Sequence, residues 1–504
     1  MSGRPRVVVV GGGVAGLTLA YRLATRDNGQ RPPEVLVLEA DGRVGGKLRT
    51  IEVDGLQLEA GADSFVVRKP WAVDLCKELG LGEDLVKPGA DGAFVWTRGR
   101  LVPFPRASAF GVPSRARDLL SWPGLSRRGR MRAMADLYRR PFRGDGDRSL
   151  GELVRGRMGP DAARVLLGPL LAGIHAGDPD RLSVDATFPE LGRWDRLHGS
   201  LIRGARATLR PPRTPADDEG FLGLRRRAPD PAGPLFTTLW HGLSSLADTL
   251  VASSGAAAVR VDAPVEAVRP AAGAYEVRLA GRGSEGPEVI AADAVVLAVP
   301  AFEAARLLDP VVPAAAGELA GIPYASTAAV FGVYPVGSGS RLPEGTGFVV
   351  PIGERTITAC TWVSRKWPRD GFGDRAVVRS YVGRAGDERA LAMADEELAA
   401  AVAAEVRQAV PGLSDPEVGR VVRWDRSMPQ YEVGHLNRVR RIEEALAAAP
   451  GLFVTGSAYR GVGIADCVRQ ANETAELVGA HLHGEAASRP APADGDREAI
   501  SWST

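Results

Sequence analysis

The sequence predicts an α/β protein, and three stretches carry that prediction. Residues 6–50, RVVVVGGGVAGLTLAYRLATRDNGQRPPEVLVLEADGRVGGKLRT, read in order as strand, glycine loop, helix, strand, acidic residue and second glycine turn. Residues 327–381 alternate apolar and polar side chains between frequent glycines and prolines, which suits an antiparallel sheet covering a cavity. Residues 71–143 change texture to short amphipathic helices, punctuated by Pro103, Pro105, Pro113 and Pro123. The expected architecture is a Rossmann-like nucleotide-binding domain, a mixed-sheet substrate domain and a helical insertion.

The first stretch has the clearest chemistry. Val7 to Val10 are a β-branched run of the kind that a strand buried on both faces requires. Gly11, Gly13 and Gly16 follow at G-x-G-x-x-G spacing: the first for a tight turn, the second for close approach of a pyrophosphate, the third for close helix packing. Val14 and Ala15 open a helix in which Val14, Leu17, Ala20, Tyr21 and Ala24 recur at helical spacing, and its N-terminal N–H groups face the anion. Glu34 to Leu38 form the next strand, ending at Glu39 and Ala40. A carboxylate there accepts hydrogen bonds from an adenosine ribose and repels a 2′-phosphate.

Composition sets the outer bounds. The chain has 504 residues and 45% apolar content, enough for about three domain-sized units with sizeable cores. Lys+Arg 63 against Asp+Glu 61 leaves a formal charge of +2, so no overall field draws nucleic acid. Cys76, Cys360 and Cys467 are odd in number and far apart, which excludes a disulfide framework, offers no metal spacing and fits a reducing cytoplasm. Arg4 and Arg6 before an apolar stretch imitate a signal peptide, but the glycines that follow sit where a phosphate loop needs them. No run approaches the roughly 18 apolar residues of a membrane span. Arg115, Arg117, Arg127, Arg128, Arg130 and Arg132 alternate with Leu119, Leu120, Trp122, Leu125 and Met131; they either rest on an anionic membrane or form a solvated face over an ordinary core. Membrane contact is at most peripheral.

Several further motifs extend the site. Arg43-Val44-Gly45-Gly46-Lys47 pairs a glycine turn with basic residues, and Glu59 to Phe65, EAGADSF, makes a short loop with Gly61, Ala62, Asp63 and Ser64. Phe236 to Leu250 steps into a helix, Ala258 to Val268 reads as a strand pair containing Val265, and Asp293 to Pro300 is a buried strand ended by proline. Glu396 to Val410 is an amphipathic helix. Near the end, Gly451 to Val468 runs from a strand through the glycine loop of Gly456, Gly461, Val462 and Gly463 into a helix beginning at Ile464 and running through Leu477. That helix would point its positive end at a ligand on which negative charge accumulates.

Together these motifs resemble a flavoprotein superfamily that includes amine oxidases, carotenoid desaturases and porphyrinogen oxidases. R-x-G-G-K-x-x-T after the first βαβ unit is its signature, which implies FAD and a nucleotide domain of the p-hydroxybenzoate hydroxylase type. Leu170 to Ser183, LLAGIHAGDPDRLS, is similar to the G-[IV]-[YF]-A-G-D-x-x-x-L-S stretch of protoporphyrinogen and coproporphyrinogen oxidases, which amine oxidases lack. It departs from that pattern at His175, where an aromatic is usual. Trp424 to His435 resembles W-x-x-[AS]-[MI]-P-Q-Y-x-x-G-H, placing Trp424 near the cofactor, and Gly456 to Cys467 resembles G-x-x-Y-x-G-V-G-I-x-D-C of the same enzymes. Val265 matches the position that meets the adenine.

The resemblance implies an oxygen-dependent six-electron oxidation of coproporphyrinogen III to coproporphyrin III in haem biosynthesis, releasing hydrogen peroxide. Protoporphyrinogen IX is the alternative substrate, and another amine oxidase-like flavoprotein or a noncatalytic porphyrin carrier lies further off. A ferrochelatase-like enzyme would receive the product. No residue set argues for nucleophilic catalysis, and no general base stands out. Arginine forks would hold the propionates, with Arg68, Lys69, Arg98 and Arg100 as candidates and Gly173 and His175 near the ring. The implied segments are FAD-binding 1–85, helical insertion 86–200, a loop and substrate segment 201–235, FAD-binding 236–300, substrate domain 301–420, FAD-binding 421–483 and a disordered tail 484–504, with a mobile loop from Arg203 to Pro234.

Overall fold

The computed structural model describes residues 4–25, 31–105, 107–141, 144, 146–209, 234–255, 257–281 and 286–485. Most of the expected loop between Arg203 and Pro234, with Arg225, Arg226 and Arg227, and nearly all of the expected tail lie outside the described residues. The chain divides into two units, one of residues up to 86, 238–324 and 429–485, the other of 87–209, 234–237 and 325–428.

The first unit is built on a five-stranded parallel sheet. Its strands are β1 (Arg6–Val10), β2 (Glu34–Leu38), β3 (Ala258–Arg260), β4 (Ala294–Leu297) and β5 (Leu452–Val454), in the spatial order β3-β2-β1-β4-β5. All four pairings are parallel, and the order reverses beside β1, which is the doubly wound arrangement that opens a crevice at the strands' carboxyl ends. Side chains alternate between two cores. Val7, Val9, Val35, Val37 and Val296 enter one core, while Val8, Val10, Val295, Leu297 and Val454 enter the other. Each fully buried valine contributes roughly 1.5–3 kcal/mol, so a one-residue slip of β1 would forfeit both sets at once.

Helix α1 (Val14–Thr25) and helix α2 (Ile464–Leu482) pack together on the first of these faces. Arg22 Nε donates to Asn472 Oδ1 across them at 2.9 Å. On the second face lies an antiparallel three-stranded sheet of Val265–Ala271, Ala274–Leu279 and Val289–Ala292. The last helix runs five residues beyond the expected Leu477, because Val478 continues the apolar stripe of Val468, Ala471 and Ala475.

The second unit carries a seven-stranded mixed sheet in the order Val418–Pro429, Tyr324–Val336, Arg375–Val382, Ile357–Trp362, Gly347–Val349, Phe94–Thr97 and Arg100–Pro103. Phe94–Thr97 pairs parallel with Gly347–Val349 and antiparallel with Arg100–Pro103. The strands Phe94–Thr97, Arg100–Pro103, Ser108–Ala109 and Val112–Pro113 therefore stand where short helices were expected; helices precede and follow them in the chain, at Pro70–Glu78 and from Ala116. The physical reason is the hairpin turn Arg98-Gly99, with both residues at positive φ, which matches the twist of two four-residue strands. The helices from Ala116 to Thr208 enclose their own core, and Leu119, Trp122 and Leu125 belong to it, whereas Leu120 and Met131 stay exposed. Within it, Asp195 is fully buried between the guanidinium groups of Arg148 and Arg157.

Candidate functional site

The glycine loop after β1 is shaped differently at each glycine. At Gly11, φ is +106° and an added Cβ would stand 2.7 Å from Ala298 O; at Gly16 it would stand 2.0 Å from Gly11 O. Both positions are closed by the protein's own backbone. At Gly13 it would meet nothing within 4 Å, so the loop is open there and nowhere else along the three. Beside it, Glu39 Oε2 accepts the Gly12 N–H at 2.7 Å and Oε1 accepts the Asp41 N–H at 2.9 Å. These bonds fix the carboxylate at the end of β2, and each oxygen keeps a lone pair for a further donor. Val14 and Ala15 start α1, whose first four N–H groups have no partner within the helix, and Ala40 follows exposed at the strand end.

The second glycine turn seats on the first. Gly45 N–H donates to Gly12 O at 2.8 Å, and a Cβ on Gly46 would touch Gly13 Cα at 3.4 Å. Arg43 turns its guanidinium inward, donating to Val44 O at 2.9 Å and Gly46 O at 2.6 Å, and burial lowers its pKa. It locks the turn. Burial likewise pushes the Lys47 ammonium down, with the Cys467 thiol within electrostatic reach. Lys47 O accepts the Ala62 N–H at 3.1 Å, and Gly61 must be glycine because its Cβ would lie 1.9 Å from that same oxygen. Ser64 Oγ donates to Asp63 Oδ1 at 2.7 Å.

A buried network that sequence reasoning missed ties these loops together. Glu59 accepts from Thr50 Oγ1 and from the Leu243 N–H at 2.9 Å, while Thr50 and Ser244 exchange two bonds at 2.8 and 3.1 Å. Thr50 and Glu59 are conspicuous in their motifs, but the partner that explains them lies almost 200 positions away.

The last glycine loop is held just as tightly. Gly456, at φ +116°, would place a Cβ 3.8 Å from Ala15 Cβ, so the two halves of the cradle adjoin. Tyr431, almost fully buried, donates its hydroxyl proton to Ser457 O at 2.7 Å and accepts the Gly461 N–H at 2.9 Å. His435 stacks on Tyr431 with ring centroids 3.9 Å apart, and its Nε2 lies 2.8 Å from Tyr459 O. Gln470 Oε1 accepts the Arg460 N–H at 3.1 Å. Gly463 caps α2, with Val462 before it and Ile464 as its first residue, so the helix's positive end faces out of the loop. Lys69 is bonded to both oxygens of Asp466, at 2.7 and 2.8 Å. Burial pushes the Cys467 thiol up to about 12, leaving it protonated and a poor nucleophile.

The first unit thus brings together Gly11, Gly13, Val14, Ala15, Gly16, Glu39, Ala40, Arg43, Gly45, Gly46, Lys47, Gly61 to Ser64, Gly456 and Val462 to Ile464. Val265 stands in the same unit at a strand start, its carbonyl accepting Arg306 Nη2 at 2.9 Å. Arg68 also belongs to it, with its pKa lowered by burial. Trp424, Arg98, Arg100, Gly173 and His175 belong to the second unit. Trp424 lies on the strand Val418–Pro429, Arg98 and Arg100 are exposed on the hairpin, and His175 is buried edge-on against Phe188 with centroids 5.7 Å apart. Gly173 is exposed near the end of the helix Gly168–His175.

An open glycine cradle, two helix N-termini and an acid at the end of β2 are the donor set that a dinucleotide requires, and the residues present fit FAD. Residues 14–479 match the model of the flavin-containing amine oxidoreductases. The chain belongs to this family. This flavin-containing amine oxidoreductase is 34% identical to the coproporphyrinogen III oxidase of Bacillus subtilis (strain 168) over 471 residues, covering 93% of this chain and 96% of that one. It is 34% identical to the coproporphyrinogen III oxidase of Propionibacterium freudenreichii subsp. freudenreichii, covering 94% of this chain and 90% of that one. Among solved structures it resembles a protein from Exiguobacterium sp. 255-15 put forward as a protoporphyrinogen oxidase, with TM-score 0.81, 32% identity and coverage of 96% and 100%. Among the described residues, no helix of this flavoprotein is long and apolar enough to cross a membrane.

Proposed function

We propose that this flavoprotein oxidises coproporphyrinogen III to coproporphyrin III in haem biosynthesis. The observation that carries the reading is the likeness, over more than nine-tenths of the chain, to coproporphyrinogen III oxidases, combined with the G-I-H-A-G-D segment at residues 173–178. Bound FAD supplies the hydride acceptor. The protein's share is binding and electrostatics. In a nucleotide domain of the p-hydroxybenzoate hydroxylase type, the loop from Gly11 to Gly16 takes the pyrophosphate, Glu39 and Ala40 the ribose and Val265 the adenine. The positive end of α2 at Val462, Gly463 and Ile464 offsets negative charge gained on reduction. Arg43, Gly45, Gly46, Lys47 and the loop from Gly61 to Ser64 complete the cradle, with Gly456 opposite, and Trp424 on the strand Val418–Pro429 is a further candidate. The protonated Cys467 argues for a noncovalently held flavin.

Oxygen is the proposed electron acceptor, peroxide the by-product, and a ferrochelatase-like enzyme the recipient of product. Three free, buried cysteines suit a reducing cytoplasm. Membrane contact is at most peripheral, through exposed Leu120 and Met131 among the arginines, and co-sedimentation with anionic vesicles is its check. Protoporphyrinogen IX is the second reading, favoured by the assignment of the Exiguobacterium protein. The test offers each porphyrinogen in air to the purified yellow protein and follows porphyrin fluorescence and peroxide. Faster turnover of coproporphyrinogen III is expected. Preference for protoporphyrinogen IX would exchange the two readings, and turnover of neither would overturn both.

A further inference from the structure

Arg384 belongs to the second unit, just past the end of a sheet strand. Arg375–Val382 is followed by Gly383, whose φ of +87° turns the chain, and Arg384 and Asp387 then exchange backbone bonds at 3.2 and 2.9 Å to close a tight turn. From that turn the Ala385 N–H donates to Ala176 O at 2.8 Å. Ala176 is the left-handed residue, φ +46°, that ends the helix Gly168–His175. The bond fastens the Arg384 turn to the G-I-H-A-G-D segment of residues 173–178.

The guanidinium is in an uncommon position. Arg384 is only 8% exposed, yet among the described residues its side chain makes no hydrogen bond and no ion pair. Asp178 and Asp387 lie within electrostatic reach without bonding to it. Both carboxylates are engaged elsewhere, Asp178 by the Asp180 N–H at 2.9 Å and Asp387 by Arg389 Nε at 3.1 Å. Burial lowers the pKa of Arg384, the two carboxylates oppose that, and the group stays a cation. Arg157, also buried in the same unit, shows the usual solution: it donates to Asp195, Gly199 O and Arg140 O. The five donors of this fork meet no acceptor among the described residues, and none of its nitrogens is sealed from solvent, so an acceptor from outside the chain can reach them.

We propose that Arg384 receives a propionate carboxylate of the tetrapyrrole substrate, next to His175 and Asp178. The inference rests on the porphyrinogen reading above and adds to it a recognition residue. A planar carboxylate matches the guanidinium bidentately, so the fork would read whether a propionate stands at one position of the ring, and coproporphyrinogen, with four propionates, differs from protoporphyrinogen, with two, in how many positions offer one.

The test uses full-length holoenzyme, wild type, Arg384→Gln and Arg384→Lys, with FAD content and melting temperature measured on each. Coproporphyrin III and its tetramethyl ester, which has no carboxylate, are titrated by fluorescence quenching, and steady-state kinetics are run with coproporphyrinogen III. Expected for Arg384→Gln is a ten- to hundredfold rise, roughly, in KM and in the Kd of the free acid, with kcat within about threefold and ester binding unchanged. Arg384→Lys should fall between, keeping the charge and losing the fork. Unchanged binding of the free acid in both variants would overturn the proposal, as would equal weakening for acid and ester. If Arg384→Gln does not fold, Arg384→Lys decides: wild-type affinity for the acid assigns Arg384 a structural role, and weakened affinity with intact FAD supports the anchor. Failure of wild type to oxidise any porphyrinogen would instead remove the underlying reading.

Discussion

Gly13 and Gly16 occupy one loop and should answer the same substitution in opposite ways. Gly13→Ala adds a methyl where the protein has nothing within 4 Å, so the folding stability of the apoprotein should change by less than about 1 kcal/mol. The methyl projects into the opening, and the Kd for FAD should rise at least about tenfold. Gly16→Ala drives a Cβ to 2.0 Å from Gly11 O and should cost more than about 2 kcal/mol before any cofactor is added. Apoprotein melting and flavin-fluorescence titration of the two variants separate the effects; equal loss of stability in both would refute the distinction. At this scale the glycine spacing was readable because each glycine answers a local demand. Arg43 was readable only as a basic residue. That it spends its donors on Val44 O and Gly46 O, holding the turn, follows from a loop conformation that spacing does not encode.

Between residue and molecule, the joint that presents α2 rests on a side chain outside it. Tyr431→Phe removes the acceptor of the Gly461 N–H and the donor to Ser457 O while keeping the ring stacked on His435. Leaving those backbone groups unpaired should cost about 1–3 kcal/mol. It should also speed FAD dissociation several-fold, because Gly461 to Gly463 would no longer be held at the helix entrance. Urea unfolding and FAD release rates check both, and an unchanged release rate would show that the loop holds its shape without the tyrosine. Elements with their own period were legible: β1, α1, β2 and the helix Asp395–Ala409 fall where the apolar pattern puts them. The strands Phe94–Thr97 and Arg100–Pro103 were not, since four residues carry too little alternation to outweigh the surrounding prolines and arginines. Their identity comes from pairing with Gly347–Val349, some 250 positions away.

Across the whole molecule, three buried thiols make stability fall as pH rises. Cys76, Cys360 and Cys467 are buried, and their thiols are pushed up to about 12 from an ordinary 9.0, chiefly by loss of solvation. Below pH 9 both folded and unfolded chains keep these protons, and stability is full. Between about 9 and 12 only the unfolded chain releases them, so stability falls by up to about 1.4 kcal/mol per pH unit for each thiol. Melting temperature should be flat from pH 7 to 8.5 and then drop, and substituting the three cysteines by alanine should flatten the drop while lowering the plateau. A slope unaffected by the substitutions would assign alkaline unfolding to other groups. The strand order of the parallel sheet has a consequence for how the chain is made. β1 lies between β2 and β4, and the edge strand β5 begins at Leu452, so the ribosome releases Leu38 about 20–80 s before the strand that completes the sheet. During that interval the nascent chain carries valine-rich strands with unpaired edges, a template for wrong pairing that invites chaperone cover. A product terminated before Leu452 would bear half a cradle and a sticky edge.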